Sequence, residues 1–161
     1  MSKISVLFVC LGNICRSPTA HGVFQAMVNA QGLSDQILVD SAGTGDWHLG
    51  RAPDRRAQKH ALARSYDLSD LRARLATAED FYQFDYILAM DRDNFNNLKA
   101  IQPHNATCQL SLFLEFCRNP LYSEHQEVPD PYYGGDSGFN WVLDLVEDAS
   151  AGLLEQIKAK L

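Results

Sequence analysis

Apolar residues occur along this chain in two patterns, short continuous runs and stretches with helical spacing. Continuous runs of β-forming residues are typical of buried strands, whereas recurrence every three or four residues is typical of helices. The runs predict strands at residues 4–9, 36–40 and 85–90, with a weaker strand at 108–112. The helical spacing predicts helices at residues 17–32, 53–64, 78–82, 91–100 and 139–157. Residues 119–138, rich in Pro, Gly and Tyr, are expected to form a loop.

Strands and helices alternate in this predicted order. Such alternation favours parallel pairing, because each crossover helix carries the chain back across the sheet. We therefore expect an α/β fold: a single three-layer domain over residues 1–161, with a four-stranded parallel sheet covered by helices on both faces. In sheets of this kind, ligands bind beyond the carboxyl ends of the strands.

Two of the predicted helices begin with capping signals. Ser17 stands directly before Pro18, and Asp91 directly follows the third predicted strand. Ser and Asp side chains accept hydrogen bonds from the first turn of a helix, and Pro is well tolerated there. We expect Ser17 to cap the first helix and Asp91 to cap the fourth.

The composition excludes several classes of protein. A chain of 161 residues is long enough for one domain with a buried core. Its 14 Lys and Arg against 20 Asp and Glu give a net charge of −6, which is unfavourable for general nucleic-acid binding. Four cysteines are too few for a disulfide scaffold, and no apolar run approaches the ~18 residues of a membrane span. We expect a cytoplasmic, mostly monomeric protein without membrane insertion.

The segment between the first strand and the first helix carries the candidate chemistry. Residues 10–17, the phosphate loop, read CLGNICRS and contain Cys10, Arg16 and Ser17. A loop that enters a helix can direct its N–H groups at one centre, where the helix N-terminus adds partial positive charge. Arg16 supplies a planar fork that matches phosphate oxygens. Because the Gly-Lys-Ser/Thr pattern of nucleotide sites is absent, the loop suits a single tetrahedral oxyanion.

Cys10 is the candidate nucleophile of this loop. A helix N-terminus and a nearby Arg stabilise the thiolate, which is the reactive form of cysteine. Gly12 and Asn13 tolerate the positive φ angles that a curled loop requires, and Ser17 can donate a hydrogen bond to the sulfur. Alternatively, Cys10 is a small apolar residue that ends a strand. The surrounding loop residues favour the nucleophile.

A second candidate lies in the long loop. Asp130 stands between Pro129 and Pro131, so its backbone is held extended on a stiff segment. Transfer of phosphate from an aryl ester needs an acid for the leaving oxygen, and Asp130 can supply it. An ordinary surface turn is the alternative interpretation of this Pro-Asp-Pro segment.

The chain resembles the low-molecular-weight protein tyrosine phosphatases over essentially its whole length. The resemblance rests on residues 9–18, 40–44, 46–47, 50–54, 85–91 and 130–133. It implies that Cys10 is the nucleophile, Arg16 the phosphate clamp and Asp130 the general acid. The implied substrates are a phosphotyrosine-containing protein or a small aryl phosphate, hydrolysed through a phosphocysteine intermediate. No metal or cofactor is expected, since the five histidines show no ligand spacing.

The resemblance also assigns supporting residues. The phosphate loop would bind the anion through Leu11, Gly12, Asn13, Ile14, Cys15 and Ser17, with hydrogen bonds of Asn13, Ser17 and Ser41 holding its shape. The family often has a His before residues 73–74 that braces the loop Asn, but Leu71 stands there in this chain. Cys15 is expected to capture an oxidised Cys10 as a disulfide, or else to be a small buried side chain.

Aromatic residues outside the loop are candidates for the substrate slot. Trp47, Tyr132 and Tyr133, together with Leu11, could form walls that select a phenyl phosphate by its shape. Relatives that act on phosphoarginine tend to carry Thr where this loop has Ile14, so the larger apolar side chain argues against that substrate.

Three other functions remain open. An arsenate reductase could share this fold and loop, but its further cysteines would be expected near the third strand rather than at Cys108 and Cys117. A phosphocysteine carrier would pass phosphate on, yet Arg16 and Asp130 would promote attack by water. A non-catalytic phosphate-binding module would have no use for Cys10.

Overall fold

Residues 3–132 and 135–161 are described by a computed structural model, which has an α/β architecture. Within these residues, ten helices and strands follow in chain order, and a short 3₁₀ turn occupies Phe113–Phe116. They are β1 Ile4–Cys10, α1 Arg16–Ala30, β2 Ile37–Gly43, α2 Arg55–Ala63, α3 Asp80–Gln83, β3 Tyr86–Ala89, α4 Arg92–Ile101, β4 Gln109–Leu112, α5 Pro120–Ser123 and α6 Asp136–Lys158. The predicted fold class and all four predicted strands are confirmed.

The sheet has the strand order β2-β1-β3-β4, and every pairing is parallel. The central strand β1 is buried on both faces, as expected for a strand covered by helices on two sides. Its side chains alternate between two core clusters. Phe8 packs with α1 and α6 on one face, whereas Leu7 and Val9 pack with Phe81 and Leu98 on the other.

Some predicted boundaries were wrong. Strand β2 continues to Gly43 because residues 41–43 pair in register with the end of β1. The last helix begins at Asp136, three residues before the predicted start. The apolar pattern missed this first turn because its residues face solvent and are not apolar. The segment predicted as loop contains the one-turn helix α5, which is capped by the side chain of Asn119.

The predicted Ser17 cap was also wrong. The N-cap of α1 is Cys15, without a side-chain cap hydrogen bond, and Ser17 lies inside the first turn. The Ser17 hydroxyl is used by other partners near Cys10, described below, so it does not satisfy the helix N-terminus. The predicted Asp91 cap is confirmed, because its carboxylate accepts from the N–H of Asn94 in a capping box.

The fold brings the carboxyl ends of the strands to one edge. Cys10 pairs with Gly43 at the ends of β1 and β2, and the N–H of Met90, just after β3, donates to the carbonyl of Val9. The phosphate loop therefore begins at the edge where parallel sheets bind ligands. Among the helices of the described residues, none has the length and apolarity needed to cross a membrane.

Candidate active site

The phosphate loop is built around the sulfur of Cys10. The backbone N–H of Asn13 donates to Cys10 Sγ at 3.3 Å, and the Ser17 hydroxyl lies 3.0 Å from the same sulfur. Cys10 is buried at the end of β1, while α1 begins six residues later. The sulfur is thus held at the start of a helix by polar groups that stabilise negative charge.

Asn13 shapes the loop through its backbone and its side chain. Its φ of 57° is left-handed, as predicted, and its amide Nδ2 donates to the Ser17 hydroxyl at 2.7 Å. Its Oδ1 accepts from the backbone N–H of Arg74 at 3.0 Å. Gly12 does not have the predicted positive φ. Its surroundings are tight instead, because an added Cβ would lie 2.9 Å from Cδ2 of His48 and the imidazole ring would have to shift.

Arg16 is buried beneath the loop with its guanidinium held on two sides. It donates to Asp91 Oδ2 at 2.6 Å and to the carbonyl of Val128 at 3.1 Å. A third group, Asp130 Oδ2, lies 3.6 Å from the guanidinium. Burial by itself would lower the pKa of Arg16, but the nearby charges of Cys10, Asp91 and Asp130 raise it above its ordinary value. Arg16 is therefore a fixed cation.

A pocket of about 360 Å³ opens over the sulfur. It is lined by the side of the phosphate loop that faces solvent and by two other segments, at residues 47–48 and 130–132. The lining residues are Cys10, Leu11, Gly12, Ile14, Cys15, Arg16, Trp47, His48, Asp130 and Tyr132. The pocket thus contains Leu11, Trp47 and Tyr132 from the predicted slot, whereas the loop residues Asn13 and Ser17 do not line it. Tyr133 lies outside the described residues.

Asp130 is at the rim of this pocket. Its Oδ1 accepts from the backbone N–H of Tyr132 at 3.0 Å, which leaves Oδ2 facing Arg16. Its side chain is 38% exposed, in contrast to the buried Arg16. The segment is anchored by the N–H of Val128, which donates to the carbonyl of Met90 at 2.8 Å. A carboxyl group in this position can reach an atom that enters the pocket from solvent.

Ser41 was expected to help hold the phosphate loop, but its hydroxyl contacts His21 instead. Its hydroxyl lies 3.0 Å from Nδ1 of His21 and does not bond to Asn13. Leu71 is partly buried and packs against the core cluster that contains Phe8. Burial lowers the pKa of His21, although the charge of Asp40 opposes this shift.

Sequence reasoning missed four residues that position the loop or pocket: His21, His48, Arg74 and Asp91. Arg74 holds Asn13 through its backbone, and its guanidinium bridges Asp40 and Asp80. Of these four residues, only Asp91 could have been found from the sequence, because it directly follows a predicted strand at the edge where parallel sheets bind ligands. The contacts of the other three join segments that lie far apart in sequence.

The other three cysteines differ from Cys10 in their surroundings. Burial raises the pKa of Cys15, and the nearby charges of Asp54, Cys10 and Asp130 add to this effect, so Cys15 is held as a thiol. Cys108 and Cys117 are absent from the pocket lining.

Within residues 3–132 and 135–161, no three His, Cys, Asp or Glu side chains form a group suited to a metal ion.

Comparisons with known proteins agree on one family. The profile of the low molecular weight phosphotyrosine protein phosphatases matches residues 5–161. The enzyme of this name from Schizosaccharomyces pombe is 41% identical over 156 residues, which cover 96% of this chain and 97% of the relative. The human one is 43% identical over 152 residues, which cover 94% of each chain.

The comparison of structures gives the same result. A crystal structure of a protein tyrosine phosphatase from Entamoeba histolytica, with Hepes in its active site, superposes with a TM-score of 0.91. The two sequences are 39% identical, and the match covers 99% of this chain and 100% of that one. Sequence and structure together show that this chain belongs to the low molecular weight phosphotyrosine protein phosphatase family of hydrolases.

Proposed function

We propose that this phosphatase hydrolyses phosphotyrosine in proteins, and small aryl phosphates, with Cys10, Arg16 and Asp130 as its catalytic residues. One observation carries these roles. The sulfur, the guanidinium and the carboxyl group line a single pocket, and Arg16 lies 3.6 Å from Asp130. A nucleophile, an anion clamp and a proton donor are the three groups that a phosphocysteine mechanism requires.

In the first step, the Cys10 thiolate attacks phosphorus and the bond to the phenolic oxygen breaks. Asp130, in its acid form, gives its proton to that departing oxygen. The product is a phosphocysteine and a free phenol. The phosphoryl oxygens receive hydrogen bonds from the loop N–H groups and from Arg16, which stabilise the charge in the transition state.

In the second step, water attacks the phosphorus of the phosphocysteine. Asp130, now a carboxylate, takes a proton from the water, and the bond from phosphorus to sulfur breaks. Inorganic phosphate leaves and Cys10 returns as a thiolate. The hydroxyl of Ser17, 3.0 Å from the sulfur, stabilises this leaving thiolate by a hydrogen bond.

The pocket walls favour an aryl ester. Leu11, Trp47 and Tyr132 line the pocket over the buried sulfur and offer apolar and aromatic surface to a phenyl ring. A phenyl phosphate is long enough to pass these walls, whereas a phosphoserine is too short. Ile14 is a larger apolar lining residue than the Thr expected for a phosphoarginine enzyme.

The rival functions have less support. An arsenate reductase needs further thiols near its nucleophile, but Cys108 and Cys117 lie outside the pocket. A phosphocysteine carrier would not benefit from Asp130, which assists attack by water.

We further propose that the protein acts in the cytoplasm, mostly as a monomer of one domain.

Hydrolysis of p-nitrophenyl phosphate in EDTA tests the nucleophile. The wild type should be active, and Cys10→Ser should lose activity while retaining its fold by circular dichroism. Activity that survives the substitution, or that disappears in EDTA, would refute the proposal.

The proton donor is tested by varying the leaving group. Asp130→Ala should reduce kcat/KM strongly for phosphotyrosine, whose leaving group needs a proton, and less for p-nitrophenyl phosphate. Arg16→Ala should reduce kcat/KM steeply for both. An equal loss for the two substrates in Asp130→Ala would argue against the acid.

A further inference from the structure

A second groove lies directly beside the catalytic pocket. Its volume is about 540 Å³, and it shares Ile14, His48 and Tyr132 with the pocket over Cys10. The remaining lining comes from residues 51–55 and Gln58, which form the approach to α2 and its first turns. A peptide whose phosphotyrosine enters the pocket can therefore place its flanking residues in this groove.

The groove is rigidly attached to the catalytic loop. The N–H of Asp54 donates to the carbonyl of Ile14 at 2.8 Å. Arg51 is held at both backbone groups, since its N–H donates to His48 at 3.0 Å and its carbonyl accepts from Ala73 at 2.9 Å. The distance between the groove and the phosphate site is thus set by main-chain hydrogen bonds.

The groove carries uncompensated positive charge. Among its described lining residues, the only carboxylate is that of Asp54, which accepts from two backbone N–H groups of α2 and pairs with Arg56 at 3.1 Å. Arg51 and Arg55 are exposed, and neither forms an ion pair with another residue in the described part of the chain. The groove therefore presents two guanidinium groups to solvent on a protein whose net charge is −6.

Local charge determines which part of this surface an acidic partner can approach. The negative net charge repels acidic segments overall, whereas guanidinium groups bind carboxylates in a planar, bidentate manner. We infer that Arg51 and Arg55 form a subsite for Asp or Glu side chains that flank the phosphotyrosine of a protein substrate. This inference rests on the proposed function and assigns it a substrate class: phosphotyrosine within an acidic sequence.

The test uses two phosphotyrosine peptides that differ only in their flanking residues, Glu in one and Gln in the other. The measured quantity is the ratio of kcat/KM for the acidic peptide to that for the neutral peptide. In the wild type at low salt we expect a ratio of about three to ten, since each exposed ion pair contributes a factor of up to about five. The ratio should fall toward one at high salt.

The variant Arg51→Gln/Arg55→Gln should reduce the ratio to about one or below. A matched control is Lys99→Gln/Lys158→Gln, which makes the same change in net charge. Both lysines lie at the C-terminal ends of α4 and α6, at the edge of the sheet opposite the site. This control should retain the wild-type ratio.

Three outcomes would overturn the subsite. They are a wild-type ratio of one, an equal fall in the ratio in the control variant, and an equal loss on both peptides in the arginine variant. In each of these cases phosphotyrosine is still hydrolysed by the wild type. Failure of the proposed function is distinct, because then the wild type hydrolyses neither peptide.

Discussion

The imidazole of His21 on α1 lies 3.0 Å from the hydroxyl of Ser41 on β2. Ser41 directly precedes Ala42, whose carbonyl oxygen lies 3.3 Å from the hydroxyl oxygen of Ser17, so the single hydroxyl proton is shared between this carbonyl and the sulfur of Cys10. His21 and Ser17 are one helical turn apart, so two neighbouring side chains of α1 bond to consecutive residues of β2. This pair of contacts holds the first turn of α1 against the strand that supports the phosphate loop.

A double-mutant cycle measures the contact between His21 and Ser41. His21→Leu leaves the Ser41 hydroxyl without its partner and should lower the free energy of unfolding by about 1–3 kcal/mol. The coupling with Ser41→Ala should be about 1 kcal/mol, measured by urea denaturation. Gln25→Ala, which removes an exposed hydrogen bond on the same helix, should cost about 0.5 kcal/mol or less. Strictly additive effects of His21→Leu and Ser41→Ala would contradict the coupling.

Asp91 both orients Arg16 and caps α4, and the two roles can be separated. Asp91→Asn retains an oxygen for the cap but removes the charge that faces the guanidinium. We expect kcat/KM for p-nitrophenyl phosphate to fall by about ten- to a hundredfold, since a charged hydrogen bond contributes about 1.5–3 kcal/mol.

Asn94→Ala is the matched control for Asp91. It disrupts the capping box without touching Arg16, so it should lower the free energy of unfolding by about 1 kcal/mol and retain kcat/KM. If Asn94→Ala lost as much activity as Asp91→Asn, the effect on catalysis would come from the helix cap and not from Arg16.

Trp47 should contribute to binding of the ring and not of the phosphate. Its side chain lines the pocket and is 69% exposed, while the anion is expected at the phosphate loop. Trp47→Ala should raise KM for phosphotyrosine peptides by about two- to tenfold and leave the Ki of inorganic phosphate nearly unchanged. Leu49→Ala, at a similarly exposed position that does not line the pocket, should change neither constant. Parallel increases in KM and Ki would indicate that Trp47 supports the loop.

Cys15 should protect Cys10 from irreversible oxidation, in a manner that depends on pH. Peroxide converts a thiolate to a sulfenic acid, which a neighbouring thiol can capture as a disulfide with release of water. Burial and nearby charges raise the pKa of Cys15, so its thiolate is the minor form at neutral pH. The amount of this reactive thiolate therefore increases as the pH rises. Disulfide formation should therefore be faster at about pH 8 than at about pH 6.

Recovery of activity after peroxide tests this protection. The wild type should regain activity with dithiothreitol, whereas Cys15→Ser should be active before oxidation and recover poorly afterwards. Mass spectrometry should detect a bridged peptide containing Cys10 and Cys15. Full recovery of Cys15→Ser, or oxidised wild type without the bridge, would show that Cys15 only packs beneath the loop.

Much of the fold and the centre of the candidate site could be predicted from short stretches of sequence. Apolar runs indicated all four strands, and alternation with helical patterns indicated parallel pairing. Cys10 and Arg16 were identified because they lie within one strand-loop-helix segment, where local geometry already directs N–H groups toward an anion. Asp130 was proposed because it is an acid held between two prolines beside paired tyrosines, in a segment that resembles the family. In each case the signal and its physical cause lie within a few neighbouring residues.

The partners of these residues depended on the tertiary structure. Arg16 meets Asp91, 75 positions away, and Asn13 meets the backbone of Arg74, 61 positions away. The sequence predicted that Ser17 caps the first helix. In the structure its hydroxyl lies beside the sulfur of Cys10 and accepts from the side-chain amide of Asn13, because the loop curls back over it. The composition of the chain established which side chains were available. Strand order and register then determined which of them met, because hydrogen bonds act only over a few ångströms and distant segments approach each other only in the packed sheet.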